Sequence, residues 1–233
     1  MKNIIFLILN WINAAYLKIF LGNTLFKEKS RFIFVKISET LRNQNKIKIN
    51  SSVVEKSVFK IKGEKNEIDI NGSLISNSKV SITGSNNRLI IANNTKIREV
   101  IIIIRGNNCI IEIGENTTFG GARIVNVGID NSITIGENCL FSDHIEIWAS
   151  DTHSIFNEDD VMINHEKPIV IEDSVWVGSR VIILKGVTIG ASSVIGMGSM
   201  VTKDIDANSI NVGSPAKKVK ENIHWKLDYK DIL

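Results

Sequence analysis

Few side chains in this sequence have intrinsic pKa values near or just above neutrality. They are four histidines, His144, His153, His165 and His224, and two cysteines, Cys109 and Cys139. Imidazole exchanges a proton between about pH 5 and 8, which makes a histidine the natural candidate for general acid–base work. No CxxC pair and no Cys/His spacing of a zinc site occurs, so no metal is expected. His153 and His165 share the polar stretch SDTHSIFNEDDVMINHEKP, residues 150–168. What they can do depends on the elements that hold them.

Those elements repeat. From Ile171 to Asp206 the chain reads in sixes: IEDSVW, VGSRVI, ILKGVT, IGASSV, IGMGSM, VTKDID. One column holds Ile171, Val177, Ile183, Ile189, Ile195 and Val201, and a second holds Val175, Val181, Val187, Ser193 and Ser199. A period of six is neither that of a helix nor that of a single strand. Short strands that turn a corner every six residues, three to a coil, supply it and stack their aliphatic residues into one inner column. A looser repeat precedes it: Gly63, Gly84, Gly106 and Gly128 each open a Gly-x-x-(Asn/Cys)-x-aliphatic-x-Ile unit. Gly and Asn there suit corners with positive φ. Cys139, four residues after Ile135, falls in the small-residue column and reads as a buried reduced thiol.

Carried through Ile135, Phe141 and Ile147, the tight period would next place His153, Asp159 and His165 inward. An unpaired polar group in an aliphatic core costs several kcal/mol, roughly. Residues of about 150–168 are therefore expected to leave the solenoid as a loop, a usual location for chemistry on a rigid scaffold, with strand resuming at Ile169.

The expected organisation is a helical segment over 1–50, the β solenoid over 51–212, and a turn with a short capping helix over 213–233. The opening run MKNIIFLILNWINAAYLKIFLG lacks a cleavage site and is interrupted by Asn10, Asn13 and Lys18, which reads as an amphipathic helix rather than a signal peptide or a span. It would pack on protein or, through residues 1–36 with Lys27, Lys29, Arg31 and Lys36, touch a membrane surface. A net charge of +3 with interspersed signs is too mild to suggest nucleic acid.

The aliphatic-Gly pairs Val177-Gly178, Ile189-Gly190 and Ile195-Gly196, with Ile113-Gly114 and Ile135-Gly136 before them, resemble the hexapeptide-repeat acyltransferases. The resemblance implies a mainly β, left-handed parallel β-helix. One branch of that family transfers acetyl groups from acetyl-CoA to sugar hydroxyls. Its pattern is matched in order, over about residues 130–220, by SDTHSI, KPIVIEDSVWVG, ILKGVTIG, VIGMGSMVTKDI and GSPAK.

The resemblance implies that His153 is the general base and that acetyl-CoA is the co-substrate, attacked directly with no covalent enzyme intermediate. Backbone N–H groups near Gly178 and Ser179 would hold the oxyanion. Asp151 either orients the imidazole or forms a turn. His144 either lines the acceptor pocket or faces outward. Trp176 needs a ligand or a neighbouring subunit to cover it. The pantetheine arm would run past Gly178, Ser179, Gly196, Met197 and Thr202, and Lys203, Lys217 and Lys220 would meet the phosphates. Met197 replaces the small alanine usual there, and Gly120-Gly121 stand where some relatives carry an asparagine. The missing asparagine tells against a small free sugar, and the SDTHSIF wording resembles the O-acetyltransferases of surface-glycan pathways, which implies a bacterial surface polysaccharide such as a capsule or O-antigen. The implied assembly is a homotrimer with sites at subunit interfaces, in the cytoplasm or at the inner face of the membrane. The competing readings are an N-acetyltransferase on an amino sugar, a serine acetyltransferase, and a non-enzymatic scaffold or glycan-binding solenoid.

Overall fold

The computed structural model describes residues 4–9, 12–14, 25–27, 30–33, 35–40 and 44–228. Among them the strands form three sheets of nine, eleven and eight strands, termed faces A, B and C. One coil runs Val100–Asn107 on face A, Ile110–Ile113 on face C and Thr118–Phe119 on face B, and Ala122–Ile129 then returns to face A. Successive coils pair in parallel and in register: Ile102 stands beside Val80 on one side and Ile124 on the other. The fold is a parallel β-helix.

The period of six is the side-chain alternation of these strands plus one corner. Ile171, Val177, Ile183, Ile189, Ile195 and Val201 are fully buried, as are Val175, Val181 and Ser193. Where the looser coils leave more room, Phe119 and Phe141 stack with ring centroids 4.3 Å apart. Branched aliphatics suit such columns because their restricted χ1 angles fit the pleat at little entropic cost.

The corners hold the physical novelty. Gly63, Gly84, Gly106 and Gly128 turn the chain from face A to face C with φ between +114° and +145°, and a Cβ on Gly106 would run into the Gly128 carbonyl oxygen. The asparagines behind them do not take the positive φ that the repeat suggests. Lys65, Asn86, Asn108 and Asp130, one residue earlier, do so. Asn66, Asn87 and Asn131 instead turn inward and are buried. The Asn66 amide donates to the Gly84 carbonyl (2.9 Å) and the Asn87 amide to Gly106 (2.8 Å), while Asn87 Oδ1 accepts from the Cys109 N–H (3.0 Å). Cys109 continues this ladder with its thiol on the Gly128 carbonyl, and Asn131 continues it to Ala149.

A second ladder lines the corner between faces C and B. Thr95 and Thr117 donate to the carbonyls of Gly114 and Gly136, and Cys139 donates to Glu172. Both thiols are free and buried. Burial raises the pKa of both thiols, that of Cys139 to about 11, which disfavours the nucleophilic thiolate at neutral pH.

Two expectations need correction. Described residues within 1–50 are strands, not helix: Leu25–Lys27, Ser30–Ile33 and Val35–Thr40 pair in parallel with later coils, so the solenoid begins well before residue 51. Ile4–Leu9 and Ile12–Ala14 pair antiparallel with its first coil. An open sheet edge supplies hydrogen-bond partners to an Ile-rich segment, and that outweighs asparagines at helical spacing. Residues 15–24, where a helix was also expected, lie outside the described residues. At the other end Lys217–Glu221 is an antiparallel strand on Ser209–Val212, and 222–228 contain no helix. Residues 229–233 lie outside the described residues.

The buried asparagine ladder is open to test. Asn87→Ala orphans the Gly106 carbonyl and the Cys109 N–H, and is expected to lower stability by about 2–4 kcal/mol in chemical unfolding. Asn93→Ala, at an exposed corner, is expected to change it by less than about 0.5 kcal/mol.

Candidate active site

Strand Ile145–Trp148 ends on face A, and Ile169–Ile171 resumes on face C. Residues 150–168 are therefore inserted at the corner where earlier coils make a glycine turn. The neck of the loop closes with the Lys167 N–H on the Ala149 carbonyl (3.2 Å). Glu166 lies over Gly128 and accepts from the Ile129 N–H (2.8 Å), which holds its carboxyl below the usual range. Further out the loop folds back on itself, with Phe156 bridged to Met162 and the Ile163 N–H on the Ile155 carbonyl (2.9 Å). As the broken phase implies, His153, Asp159 and His165 all face solvent rather than the core.

The segment around His153 is fixed by two residues that sequence reasoning did not single out. Asn164 Oδ1 accepts from the Ile155 N–H (2.7 Å), and its amide donates to the His153 carbonyl and to Asp151 Oδ2 (both 2.8 Å). Lys185, on the next coil at the same corner, donates to Asp151 Oδ2 (2.6 Å) and to the carbonyls of Asn164 and His165 (both 2.9 Å). One ammonium thus ties both ends of the loop to the scaffold. The Lys185 bond is the main cause, with Asn164 behind it, that holds the Asp151 carboxyl below its ordinary value. Asp151 is therefore a tether of the loop backbone, and it makes no hydrogen bond to the His153 imidazole among the described residues. The available signal was a lysine in the ILKGV corner of an otherwise regular coil.

The other candidate residues lie at a different corner, between faces B and A. Gly178 and Ser179 follow Trp176–Val177 on face B, and Gly196 and Met197 follow Val194–Ile195. The Gly178 N–H is spent on the Ile195 carbonyl (2.8 Å), so it is not free for an oxyanion. The Ser179 N–H has no acceptor among the described residues. The Ser179 hydroxyl donates to Asp143 and is the main cause holding that carboxyl below its usual range. His144 Nε2 stands 3.5 Å from Asp143, on a residue with φ +54°, and its exposed ring borders a cleft of about 310 Å³ with Glu99, Arg123 and Glu146. Met197 projects outward, 73% exposed. Trp176, half-exposed, packs on Trp225 at 5.9 Å between centroids, and Trp225 donates to the Ser174 carbonyl.

Thr202 and Lys203 follow Met200–Val201 on face A and are exposed at the A–C corner, the corner that carries the loop. Lys217 and Lys220 are exposed on the terminal strand without ion-pair partners among the described residues, whereas Lys218 is engaged by Asp206 and Glu221. One chain therefore places His153, Thr202 and Lys203 on one corner and His144, Gly178, Ser179, Gly196 and Met197 on another.

Because the Asp151 pKa is lowered on folding, the clamp's stabilisation is present above the free carboxylate value of about 3.9 and is lost as pH falls through the lower folded value. Lys185→Met is expected to raise proteolytic nicking within residues 152–163 several-fold while leaving the unfolding midpoint nearly unchanged. Wild type should show the same opening on acidification. Asp151→Asn should lose the Asp151 part of this acid step, and Asp151→Asn/Glu166→Gln, with neither loop carboxylate left to titrate, should show none.

The profile of the family described as "Bacterial transferase hexapeptide (six repeats)" matches residues 168–203. Among curated proteins the chain is 41% identical over 95 residues to the galactoside O-acetyltransferase of Escherichia coli K12, covering 40% of this chain and 45% of that protein. It is 35% identical over 136 residues to the polysialic acid O-acetyltransferase of Escherichia coli O1:K1, covering 58% and 43%. The matched stretches thus span about half the length, or less, of these curated relatives. Solved structures match more fully. The polysialic acid O-acetyltransferase OatWY aligns over 82% of this chain and 91% of its own, at 31% identity and a TM-score of 0.77. The polySia specific acetyltransferase NeuO aligns over 91% and 88%, at 30% identity and a TM-score of 0.64. The repeat, the coil register, the inserted loop and this near-complete alignment together place the chain in the hexapeptide-repeat acetyltransferase family.

Proposed function

We propose that the protein is an acetyl-CoA-dependent O-acetyltransferase acting on a sugar hydroxyl of a bacterial surface polysaccharide, with His153 as general base. The observation that carries the reading is His153 itself, an exposed imidazole whose backbone is pinned by Asn164 on a loop clamped by Lys185. Its relatives named for polysialic acid and galactoside O-acetylation support the acceptor class.

In this reading imidazole nitrogen takes the hydroxyl proton as the sugar oxygen attacks the thioester carbonyl carbon. The tetrahedral oxyanion accepts from the Ser179 N–H. Collapse breaks the C–S bond, and the imidazolium returns its proton to the departing sulfur. Lys203, Lys217 and Lys220, all exposed, are available to the diphosphate and 3′-phosphate of coenzyme A. Asp151 acts through the loop, not on the proton. The acetyl-CoA donor favours a place in the cytoplasm or at the inner face of the membrane.

The two corners also favour a homotrimer. Ile155, Phe156, Val161 and Ile163 on the loop are each more than half exposed, an apolar surface that a neighbouring copy would cover. Bringing one subunit's loop corner against the next subunit's Ser179–Met197 corner completes a site that neither chain holds alone.

His153→Ala is expected to reduce acetyl transfer by about 10²–10⁴-fold with unfolding and acetyl-CoA binding unchanged; near-normal turnover would refute the base assignment. Met197→Trp should block the donor groove from the other corner. Coexpression of the two inactive variants is then expected to restore about a quarter of wild-type activity, because each site draws its halves from different subunits. Mixed assemblies with no activity would place both halves in one chain.

A further inference from the structure

The upper coils distribute charge unevenly over their three faces. On face C the outward residues are balanced: Lys46, Lys48 and Arg88 stand against Glu67, Asp69 and Glu112. Lys48 and Arg88 lie 2.7 and 3.6 Å from the Glu67 carboxylate. Face A, on the corresponding strands Val58–Lys62, Lys79–Ser85, Val100–Asn107 and Ala122–Ile129, presents Lys60, Lys62, Lys79, Arg105 and Arg123. The outward positions of these four strands include no Asp or Glu; Glu64 and Glu99 sit at the flanking corners, and the one outward acid on the next strand, Ile145–Trp148, is Glu146 beside Arg123. All five cations are exposed, and none has an ion-pair partner among the described residues.

Over these four coils the charges are of one sign, and such a patch repels itself unless an oppositely charged partner lies on it. The neighbouring face shows that these same coils readily accommodate paired charges. A second copy of face A is a poor partner, since three-fold packing on it would oppose like charges. The face also leads to the site. Arg123 lies 5.8 Å over the Trp148 ring and borders the cleft with His144, and the chain beyond Trp148 runs directly into the His153 loop. From Val58–Lys62 to Ile145–Trp148 is four coil steps of ~4.8 Å, roughly 19 Å in all, which is room for several linked sugars.

We propose that face A is an acceptor track for an acidic polysaccharide, whose carboxylates rest on Lys60, Lys62, Lys79, Arg105 and Arg123 while one sugar hydroxyl reaches His153. The substrate class is thus a carboxylate-bearing polymer, which deepens the transferase reading above and rests on it. Exposed single ion pairs contribute little each, so affinity comes from many contacts along the polymer and weakens with salt.

The test is Lys60→Ser/Lys79→Gln/Arg105→Thr. Ser81 and Thr83 already occupy the Lys60 and Arg105 columns on the next or preceding coil, so the fold accepts them. With polysialic acid as acceptor, KM is expected to rise about tenfold or more in this variant, while kcat and the turnover of a short neutral sugar stay at the wild-type level. Added salt should raise the wild-type KM steeply and that of the variant, which keeps only Lys62 and Arg123, less. Binding of polysialic acid without acetyl donor, followed by fluorescence anisotropy, separates this inference from the transferase reading. Wild type binding the acidic polymer but not uncharged dextran, with about tenfold weaker binding in the variant, supports the track even if no transfer is found. Equal affinity in wild type and variant overturns the track and leaves the transferase reading intact. Tighter binding to anionic phospholipid vesicles or to single-stranded DNA than to the acidic polysaccharide also overturns it.

Discussion

The hydrogen bonds between successive coils are the constraint on which the structure depends. Each coil contributes N–H groups to carbonyls one coil away, as where the Val58 N–H donates to Ser78 and the Arg88 N–H to Cys109. A coil alone cannot satisfy its backbone, and a stack has two open edges. The antiparallel strands at both ends answer the edges. The inner corner ladders answer a subtler demand, because a corner turns some carbonyls away from the sheet direction and into the core. Asparagine amides, serine and threonine hydroxyls and two thiols each reach such a carbonyl. The buried polar groups are therefore part of the coil's backbone accounting.

The legibility of the sequence follows from which demands repeat. Inward columns recur every six residues, so Ile171 to Val201 could be placed without a structure, and the failure of that phase at His153 located the loop. The Gly63, Gly84, Gly106 and Gly128 corners were legible for the same reason. Asn66 and Asn87 were misread because asparagine is common both at positive φ and as an inward amide, and the pattern alone does not separate a residue from its neighbour by one place. The strands at 4–40 were hidden because an Ile-rich segment takes its conformation from an available sheet edge, a tertiary fact. Lys185 and Asn164 were invisible for a different reason: their partners lie across an insertion, where no period operates. The Gly178 N–H looked like an oxyanion donor until its bond to Ile195 showed that the ladder had already claimed it.

The same ladder explains why the candidate base rides on an insertion. Inward positions are dry and aliphatic, and outward positions on a coil point squarely from a flat face. A group that must reach across to another surface has to leave the coil, and leaving it costs the corner bonds that a glycine turn would have made. Glu166 on the Ile129 N–H, Lys167 on Ala149 and the amide of Asn131 on the Ala149 carbonyl restore bonds at that corner.

What remains is to hold the loop without burying charge at a loss. An ammonium fully removed from water needs close, geometrically good partners to offset its desolvation. Lys185 has three, a carboxylate and two carbonyls, while its side chain keeps 18% of its exposure. That partial exposure limits the desolvation cost, and the ammonium has a partner on each strand of the loop: Asp151 on one side and the Asn164 carbonyl on the other, with the Asn164 side chain joining Asp151 to the His153 carbonyl. The histidine's backbone is thus held through Asn164 and Lys185, neither of which touches its ring, and the rigidity of the coils is delivered to the loop that left them.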